Sequence, residues 1–427
     1  MRVGHPRRRA ALALASALVL SLVAAGCAPD EHVEIDVPAQ VSADFPESTA
    51  TQLQDAVTHA MTAAGASGAI VGVWAPWSGT LVTGLGVDSP SGSEVTPDME
   101  FRVAQLTRPM ICDVLYAVAA EGTVRTDDSV ATWVPGVPDL TDITLGQLCD
   151  GTSGIGSYSA QLKGIFLSNP ERVWNPRELA SYGIGQPRDA EPGVAYRDSD
   201  AGYILLGLAL ERATGRSAAT LLEDYVFDPL DLGATRLPPS AAAKPDDEGP
   251  FLTGHHSLVD ATGVMNCTEP LDVTSLSASS GFTDSGVVSN IEDLGRYVTG
   301  LAAGAILPAG VDRFDQPLPV YAGAPSWYTT RGGAIQAGSL TGQFGSVPGY
   351  ATAAFSDPTS GLTVAVVLNN SAVGGAFAEY LAWELAAIAS KAPAADGGAV
   401  PEAGLPWTAQ QYHDAIAASA ICAAPPA

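Results

Sequence analysis

Cysteine and histidine carry the most versatile chemistry in this chain of 427 residues, and their spacing predicts no metal centre. The cysteines lie at positions 27, 112, 149, 267 and 422, and the histidines at 5, 32, 59, 255, 256 and 413. No Cys-x-x-Cys pair occurs, and no histidine is spaced with cysteine or glutamate as metal ligands usually are. His255 and His256 are adjacent, but we favour a plain loop over an adventitious metal site there. We therefore expect no metal and no cofactor.

The cysteines indicate a lipid anchor and two disulfides instead. An arginine-rich start is followed by an uncharged stretch over 10–25, the pattern of a bacterial export signal. Ala24-Ala25-Gly26-Cys27 then resembles a lipobox, in which the Cys27 thiol is acylated; cleavage near Ala25 by an ordinary signal peptidase is the alternative. The other four cysteines allow three pairings, of which we favour Cys112–Cys149 with Cys267–Cys422. We expect an exported protein, lipid-anchored to the outer face of the bacterial cell membrane.

The composition excludes several classes of protein. Hydrophobic residues make up 46% of the chain and charged residues 15%, so a large core is possible and general disorder is excluded. Lys and Arg number 20 against 46 Asp and Glu, and a net charge of −26 argues against nucleic acid as a partner. We divide the chain into a signal peptide (1–26), an acidic tether (27–46), one domain (47–390) and a Pro/Ala-rich C-terminal extension (391–427).

The order of the predicted elements indicates an α/β fold of the α+β type. Helical spacing predicts helices over residues 47–64, 109–121, 201–214, 290–302, 374–390 and 408–419. Strand patterns occupy residues 69–75, 80–87, 334–340, 350–356 and 362–368, and the glycines of 342–349 predict a turn. Two strands near the start and three near the end imply one antiparallel sheet built from both chain ends. The helical region between them would be an insertion beside this sheet.

Five segments in order along the chain carry a family resemblance. They cover residues 95–102, 120–130, 143–154, 201–215 and 347–350, and Gly202-Tyr203-Ile204-Leu205-Leu206-Gly207 is the most specific part. From about residue 52 to 390 the chain resembles the serine β-lactamase and D-alanyl-D-alanine carboxypeptidase superfamily, particularly its class C-like branch. The resemblance implies a β-lactamase/transpeptidase-like fold with helices flanking the sheet, and an active site between the sheet edge and the helical region.

The family's first motif, Ser-x-x-Lys, is replaced here by Gln105-Leu106-Thr107-Arg108. The motif places a nucleophilic hydroxyl and an amine on one face of a helix. A carboxamide is not a nucleophile, and the Arg108 guanidinium stays protonated and cannot act as a base. Pro109 follows directly and lacks an N–H group, so we expect the helix to begin later than usual.

The other two family motifs are also altered. The Tyr-x-Asn position holds Asp198-Ser199-Asp200; a shifted register, Tyr196-Arg197-Asp198, is the less favoured alternative. The Lys-Thr-Gly or His-x-Gly position holds Gln343-Phe344-Gly345, followed by Ser346. Only the glycine is kept, which would let backbone approach a ligand closely. By the resemblance, backbone N–H groups near Gln105 and Ser346 remain as an oxyanion hole.

These replacements predict an inactive enzyme. We expect Arg108 to lie between Asp198 and Asp200 and to close the old catalytic centre. The chain would then be a binding or scaffold module in the cell envelope, with a peptidoglycan peptide or another envelope protein as its partner. Two alternatives remain. One is a serine hydrolase that uses Ser199 or Ser346 as its nucleophile, with no histidine nearby, and the other is an envelope solute-binding or structural lipoprotein without use for the cleft.

Overall fold

The structure is a computed structural model that describes residues 32–89, 92–137, 140–188, 190–239, 249–395 and 397–422, together with residues 1 and 4. The predicted lipidation site Cys27 and almost all of the predicted signal peptide lie outside the described residues. Both favoured disulfides are present, with Cα atoms 5.5 Å apart in Cys112–Cys149 and 5.9 Å apart in Cys267–Cys422. Within the described ranges, no helix combines the length and the apolar character needed to cross a bilayer.

Helices begin and end close to the residues that the sequence signals predict. The helices are α1 (Glu47–Ala64), α2 (Thr107–Ala120), α3 (Val130–Trp133), α4 (Leu145–Cys149), α5 (Ser159–Ser168), α6 (Pro176–Ile184), α7 (Asp200–Thr214), α8 (Ala218–Leu222), α9 (Phe282–Ser285), α10 (Ile291–Ala303), α11 (Gly375–Ala389) and α12 (Ala409–Ala418). Gly65, in the left-handed conformation at φ 61°, ends α1, and the Ser199 and Asn290 side chains cap the N-termini of α7 and α10.

An antiparallel sheet joins the two ends of the chain, as predicted. The strands are β1 (Gly68–Ala75), β2 (Gly79–Gly86), β3 (Phe101–Arg102), β4 (His255–His256), β5 (Leu271–Asp272), β6 (Val288–Ser289), β7 (Leu318–Pro319), β8 (Tyr328–Arg331), β9 (Ala334–Ala337), β10 (Leu340–Val347), β11 (Tyr350–Ser356) and β12 (Thr363–Leu368). Eight of them form the main sheet in the order β2-β1-β12-β11-β10-β9-β8-β7. Strand β1 from the start of the chain pairs with β12 from its end, Ala69 opposite Leu368.

The main sheet separates two hydrophobic cores. Side chains alternate between its faces, so Ile70 packs in one core while its neighbours Ala69 and Val71 pack in the other. One core lies under the helical region that includes α2, α7 and α10, and the other lies under α1, α11 and α12. The prediction of an antiparallel sheet flanked by helices is therefore confirmed.

Two sequence predictions about local structure are wrong. Residues 342–347 belong to β10 and do not form a turn, because their glycines serve close packing: a Cβ on Gly342 would lie 2.0 Å from the Ala354 carbonyl oxygen. Helix α2 begins at Thr107 and is not delayed by Pro109, since an N–H group in the first turn has no partner within the helix anyway.

Both described terminal segments lie against the main sheet and its helices. Before α1, the Val33 N–H donates to the Pro229 carbonyl and Phe45 is buried. After α11, the Trp407 ring stacks on Trp383 at 4.8 Å between centroids, and α12 packs on α1 and α11. These contacts place α12 on the face of the sheet opposite the helical region.

Candidate active site

The turn before α2 brings the position of the family nucleophile to the edge of β10. Residues Ala104–Leu106 form a 3-10 turn that leads directly into α2. Ala104 has a φ of 55°, a left-handed conformation that costs an alanine roughly 1–2 kcal/mol. Such strain is typical of functional sites, where the surrounding structure holds a side chain in a required position. Here it presents the half-buried side chain of Gln105.

The Gln105 side chain accepts a hydrogen bond from the backbone N–H group that the family resemblance assigns to the oxyanion hole. The Ser346 backbone N–H donates a hydrogen bond to Gln105 Oε1 at 2.8 Å. A Cβ on Gly345 would lie 1.9 Å from the same Oε1 atom, so the glycine makes room for this carboxamide. The amide oxygen thus sits where a substrate carbonyl oxygen would need to be to reach the Ser346 N–H.

Arg108, one turn along from Gln105, is surrounded by three carboxylates. Its Nε donates to Asp284 Oδ1 at 2.8 Å, its Nη2 to Asp200 Oδ1 at 2.9 Å, and its Nη1 to Asp198 Oδ1. The guanidinium also lies 4.8 Å from the centre of the Tyr203 ring. The expected pairing of Arg108 with Asp198 and Asp200 is present. Asp284 is a third partner that the sequence analysis missed.

Burial decides the electrostatics of this cluster. The side chains of Arg108, Asp200 and Asp284 are 2–4% exposed, whereas Asp198 is 63% exposed. Burial raises the pKa of Asp284 to about 7 although the Arg108 charge lowers it, and burial followed by the Asp198 charge raises the pKa of Asp200. Burial lowers the pKa of Arg108, but the three acids outweigh it and the net shift is upward. Position 108 therefore offers no base that could accept a proton from a nucleophile.

The remaining predicted site residues have structural partners. Gln343 is buried, and its Nε2 donates to the Gly333 carbonyl at 2.7 Å. Ser199 Oγ caps α7 by accepting from the Gly202 N–H at 3.0 Å and donates to the Gly156 carbonyl at 3.1 Å. The buried Ser199 hydroxyl both donates and accepts a hydrogen bond and does not line the cavity beside Gln105, so its geometry does not suit a nucleophile.

A cavity of about 280 Å³ opens beside Gln105 and Ser346. Its wall combines hydroxyls, an ammonium, an imidazole and a carboxyl group with an apolar side, and is formed by Gln105, Tyr158, Ser159, Ala160, Lys163, Phe166, His256, Ser280, Asp284, Ser285, Ser346, Val347, Pro348, Ser371, Ala372, Val373 and Gly374. Lys163 is one of three lysines in the chain.

A serine and a histidine meet in this wall. His256 Nδ1 lies 2.8 Å from Ser371 Oγ, and the same hydroxyl accepts from the Gly349 N–H at 2.9 Å. Burial, with the Lys163 charge adding to it, lowers the pKa of His256 to about 4. The expectation that no histidine lies near Ser346 is thus wrong, because β4 places His256 in the same cavity. The two adjacent histidines form a strand of only two residues, and a strand this short has no pattern from which the position of His256 could be predicted.

Comparisons with known proteins agree with the fold. The Beta-lactamase family model matches residues 53–387. Penicillin-binding protein 4* of Bacillus subtilis is 27% identical over 145 residues, which are 32% of this chain and 30% of that protein. Esterase EstB of Burkholderia gladioli is 29% identical over 38% of this chain and 45% of its own length. AmpH, a D-alanyl-D-alanine-carboxypeptidase/endopeptidase of Escherichia coli, is 30% identical over 35% of this chain and 40% of its own length.

Solved structures share the fold over a larger part of the chain. A D-stereospecific amidohydrolase from Streptomyces sp. superimposes with a TM-score of 0.65 and 24% identity over 76% of this chain and 95% of that one. A penicillin-binding protein homologue from Pyrococcus abyssi superimposes with a TM-score of 0.63 and 19% identity, over 78% of this chain and 75% of that one. The matched segments cover less than half of each curated relative named above, whereas the family model spans most of this chain. The chain therefore belongs to the Beta-lactamase family of serine hydrolase-related proteins.

Proposed function

We propose that this chain is a non-catalytic member of the Beta-lactamase family that binds a peptide in the former catalytic cleft. The observation that carries the proposal is the 2.8 Å hydrogen bond from the Ser346 N–H to Gln105 Oε1. A carboxamide stands at the nucleophile position, and its oxygen occupies the N–H group that would stabilise a tetrahedral intermediate. One side chain thus removes two requirements of acyl transfer.

The neighbouring base is replaced in a way that supports the same proposal. Arg108 makes three charge-assisted hydrogen bonds, and its raised pKa keeps it protonated. Two of its partners are buried acids that the guanidinium holds by hydrogen bonds, so position 108 supplies no amine base beside position 105. The scaffold is kept while its centre is closed by an ion-pair network.

The cavity wall indicates what kind of ligand would bind. Lys163 offers a positive charge to a carboxylate, the Ser159, Ser285 and Ser346 hydroxyls offer hydrogen bonds, and Phe166 offers an apolar surface. A peptidoglycan peptide combines carboxylates, amides and methyl groups and is our proposed ligand; a segment of another envelope protein is the second source of such chemistry. We propose that acylation of Cys27 holds the protein on the outer face of the cell membrane, where this ligand is found.

A covalent probe and a binding titration test the proposal together. We expect a fluorescent penicillin and a fluorophosphonate to leave the folded protein unlabelled. We also expect a soluble muropeptide to bind, and Lys163→Gln to weaken that binding while Lys391→Gln, outside the cavity wall, leaves it unchanged. Stoichiometric labelling would refute the loss of catalysis, and equal affinities for both lysine variants would refute the assigned binding site.

A second candidate function is hydrolysis with Ser371 as the nucleophile and His256 as the base, since their 2.8 Å contact lies in the cavity wall. Two observations weigh against it: the Ser371 hydroxyl is already bonded to the Gly349 N–H, and a His256 pKa of about 4 makes a weak base at neutral pH. Labelling that is lost in Ser371→Ala would favour this candidate. Labelling lost only in Ser346→Ala would instead support Ser346 as the nucleophile.

A further inference from the structure

Three side chains with metal-ligand chemistry meet on the opposite side of the main sheet from the cleft. His59 comes from α1, Glu384 from α11 and His413 from α12. One nitrogen or oxygen atom from each lies within 4.8 Å of the others. The cluster could not be predicted from spacing along the chain, because its three members lie on three different helices. We propose that His59, Glu384 and His413 bind a divalent transition metal, with Zn²⁺ as the best fit.

Two buried polar atoms in the cluster have no hydrogen-bond partner within the described residues. They are His59 Nδ1 and Glu384 Oε2. The contact between His413 Nδ1 and Glu384 Oε1, 2.9 Å long, is an ordinary ion pair and satisfies only those two atoms. The Glu384 side chain is 4% exposed, so its second oxygen cannot be satisfied by bulk water. A cation between these atoms would satisfy both of them.

The donor set selects the kind of metal. Two imidazoles and one carboxylate suit Zn²⁺ and its neighbours, whereas Ca²⁺ and Mg²⁺ prefer oxygen ligands alone. A water molecule would complete a four-coordinate shell.

Binding requires one ring to turn. The His59 and His413 rings are stacked, with centroids 3.9 Å apart and planes inclined by 19°. A metal lies in the plane of each imidazole that binds it, so two nearly parallel rings cannot share one ion as they stand. The His413 side chain is 40% exposed, so we expect this ring to be the one that rotates. The ion would then fasten α12 to α1 and α11, next to the Cys267–Cys422 disulfide that follows α12.

Titration of the full chain without an affinity tag tests this site. We expect one Co²⁺ per chain to bind with visible absorption bands of low-symmetry coordination, Zn²⁺ to displace it, and saturating Zn²⁺ to raise the melting temperature by a few degrees. His59→Ala should weaken Zn²⁺ binding at least about tenfold, the loss that even an indirect partner of a metal ligand can cause. His32→Ala, an exposed histidine outside the cluster, is the matched control and should bind as the unaltered chain does.

A second variant guards against misfolding. His413→Gln changes a side chain that is 40% exposed, and the variant should lose affinity for Zn²⁺ while keeping the circular dichroism spectrum of the unaltered chain. Zn²⁺ binding that is equally strong in His59→Ala, His413→Gln and His32→Ala would overturn the proposal. So would an unaltered chain that binds no Co²⁺ or Zn²⁺ at millimolar concentration. Neither result depends on ligand binding in the cleft, so this proposal can fail separately from the proposed function.

Discussion

Replacing Arg108 by alanine should destabilise the protein strongly, because one cation serves three acids. The substitution removes three charge-assisted hydrogen bonds and the contact of the guanidinium with the Tyr203 ring. Asp198 is 63% exposed and can be hydrated, but Asp200 and Asp284 would be left buried. Removing one partner of a buried ion pair costs about 3–5 kcal/mol, and we expect Arg108→Ala to lower the free energy of unfolding by that amount.

The loss should depend on pH, which separates charge burial from simple loss of packing. Without the guanidinium, the pKa values of Asp200 and Asp284 rise further, so both acids take up protons at pH 5 and cost less there than at pH 8. Replacing both acids by asparagine in the Arg108→Ala background should recover part of the stability at pH 8. The matched control is Arg125→Ala, whose guanidinium is 76% exposed and pairs with an exposed Asp127.

Urea unfolding at pH 5 and pH 8, with the disulfides intact, measures these differences. At pH 8 we expect the unaltered chain and Arg125→Ala to have the highest free energy of unfolding. The Arg108→Ala variant that also carries both asparagines should be less stable, and Arg108→Ala alone should be the least stable. If Arg108→Ala is no less stable than Arg125→Ala, or loses the same stability at both pH values, the cluster does not bury uncompensated charge and the reasoning fails.

Three further predictions concern the same region. Because the pKa of Asp284 is about 7, the folded state keeps a proton that the unfolded state releases near pH 4. The contribution of Asp284 to the free energy of unfolding is therefore full below pH 4 and is lost as pH rises to 7. In urea unfolding, the stability of Asp284→Asn relative to the unaltered chain should therefore increase between pH 4 and pH 7, by up to about 4 kcal/mol. A difference that stays constant over this pH range would contradict the raised pKa of Asp284. Gly345→Ala should cost roughly 1–3 kcal/mol because its methyl group would meet Gln105 Oε1 at 1.9 Å, and a double-mutant cycle should show a smaller cost in a Gln105→Ser background; additive costs would exclude this contact as the cause. Ser199→Ala should cost about 1 kcal/mol in thermal unfolding, as for a helix N-cap, without changing ligand binding; altered binding would return Ser199 to the candidate site.

Helices and most of the sheet could be predicted because their signals are local. The apolar spacing and Gly65 define α1 over the predicted residues, and Tyr350–Ser356 forms the predicted strand. The family motifs placed Gln105, Arg108 and the two aspartates of 198–200 near one another, and the structure brings them together. Strand β10 was missed because its glycines, which usually indicate a turn, are needed here for close approach of Gln105 and of the neighbouring strand.

What the site does with these residues depends on contacts that only the tertiary structure creates. The sequence by itself determined that no hydroxyl stands at position 105 and no amine at 108, because residue identity alone sets nucleophilicity and basicity. The tertiary structure decided that Gln105 accepts the N–H of Ser346, 241 residues away, and that Asp284, 176 residues from Arg108, completes its ring of acids. The same holds for the meeting of His59, Glu384 and His413. Spacing along the chain reports neighbours within a helix or strand, whereas these groups are brought together by the packing of helices on the two faces of one sheet.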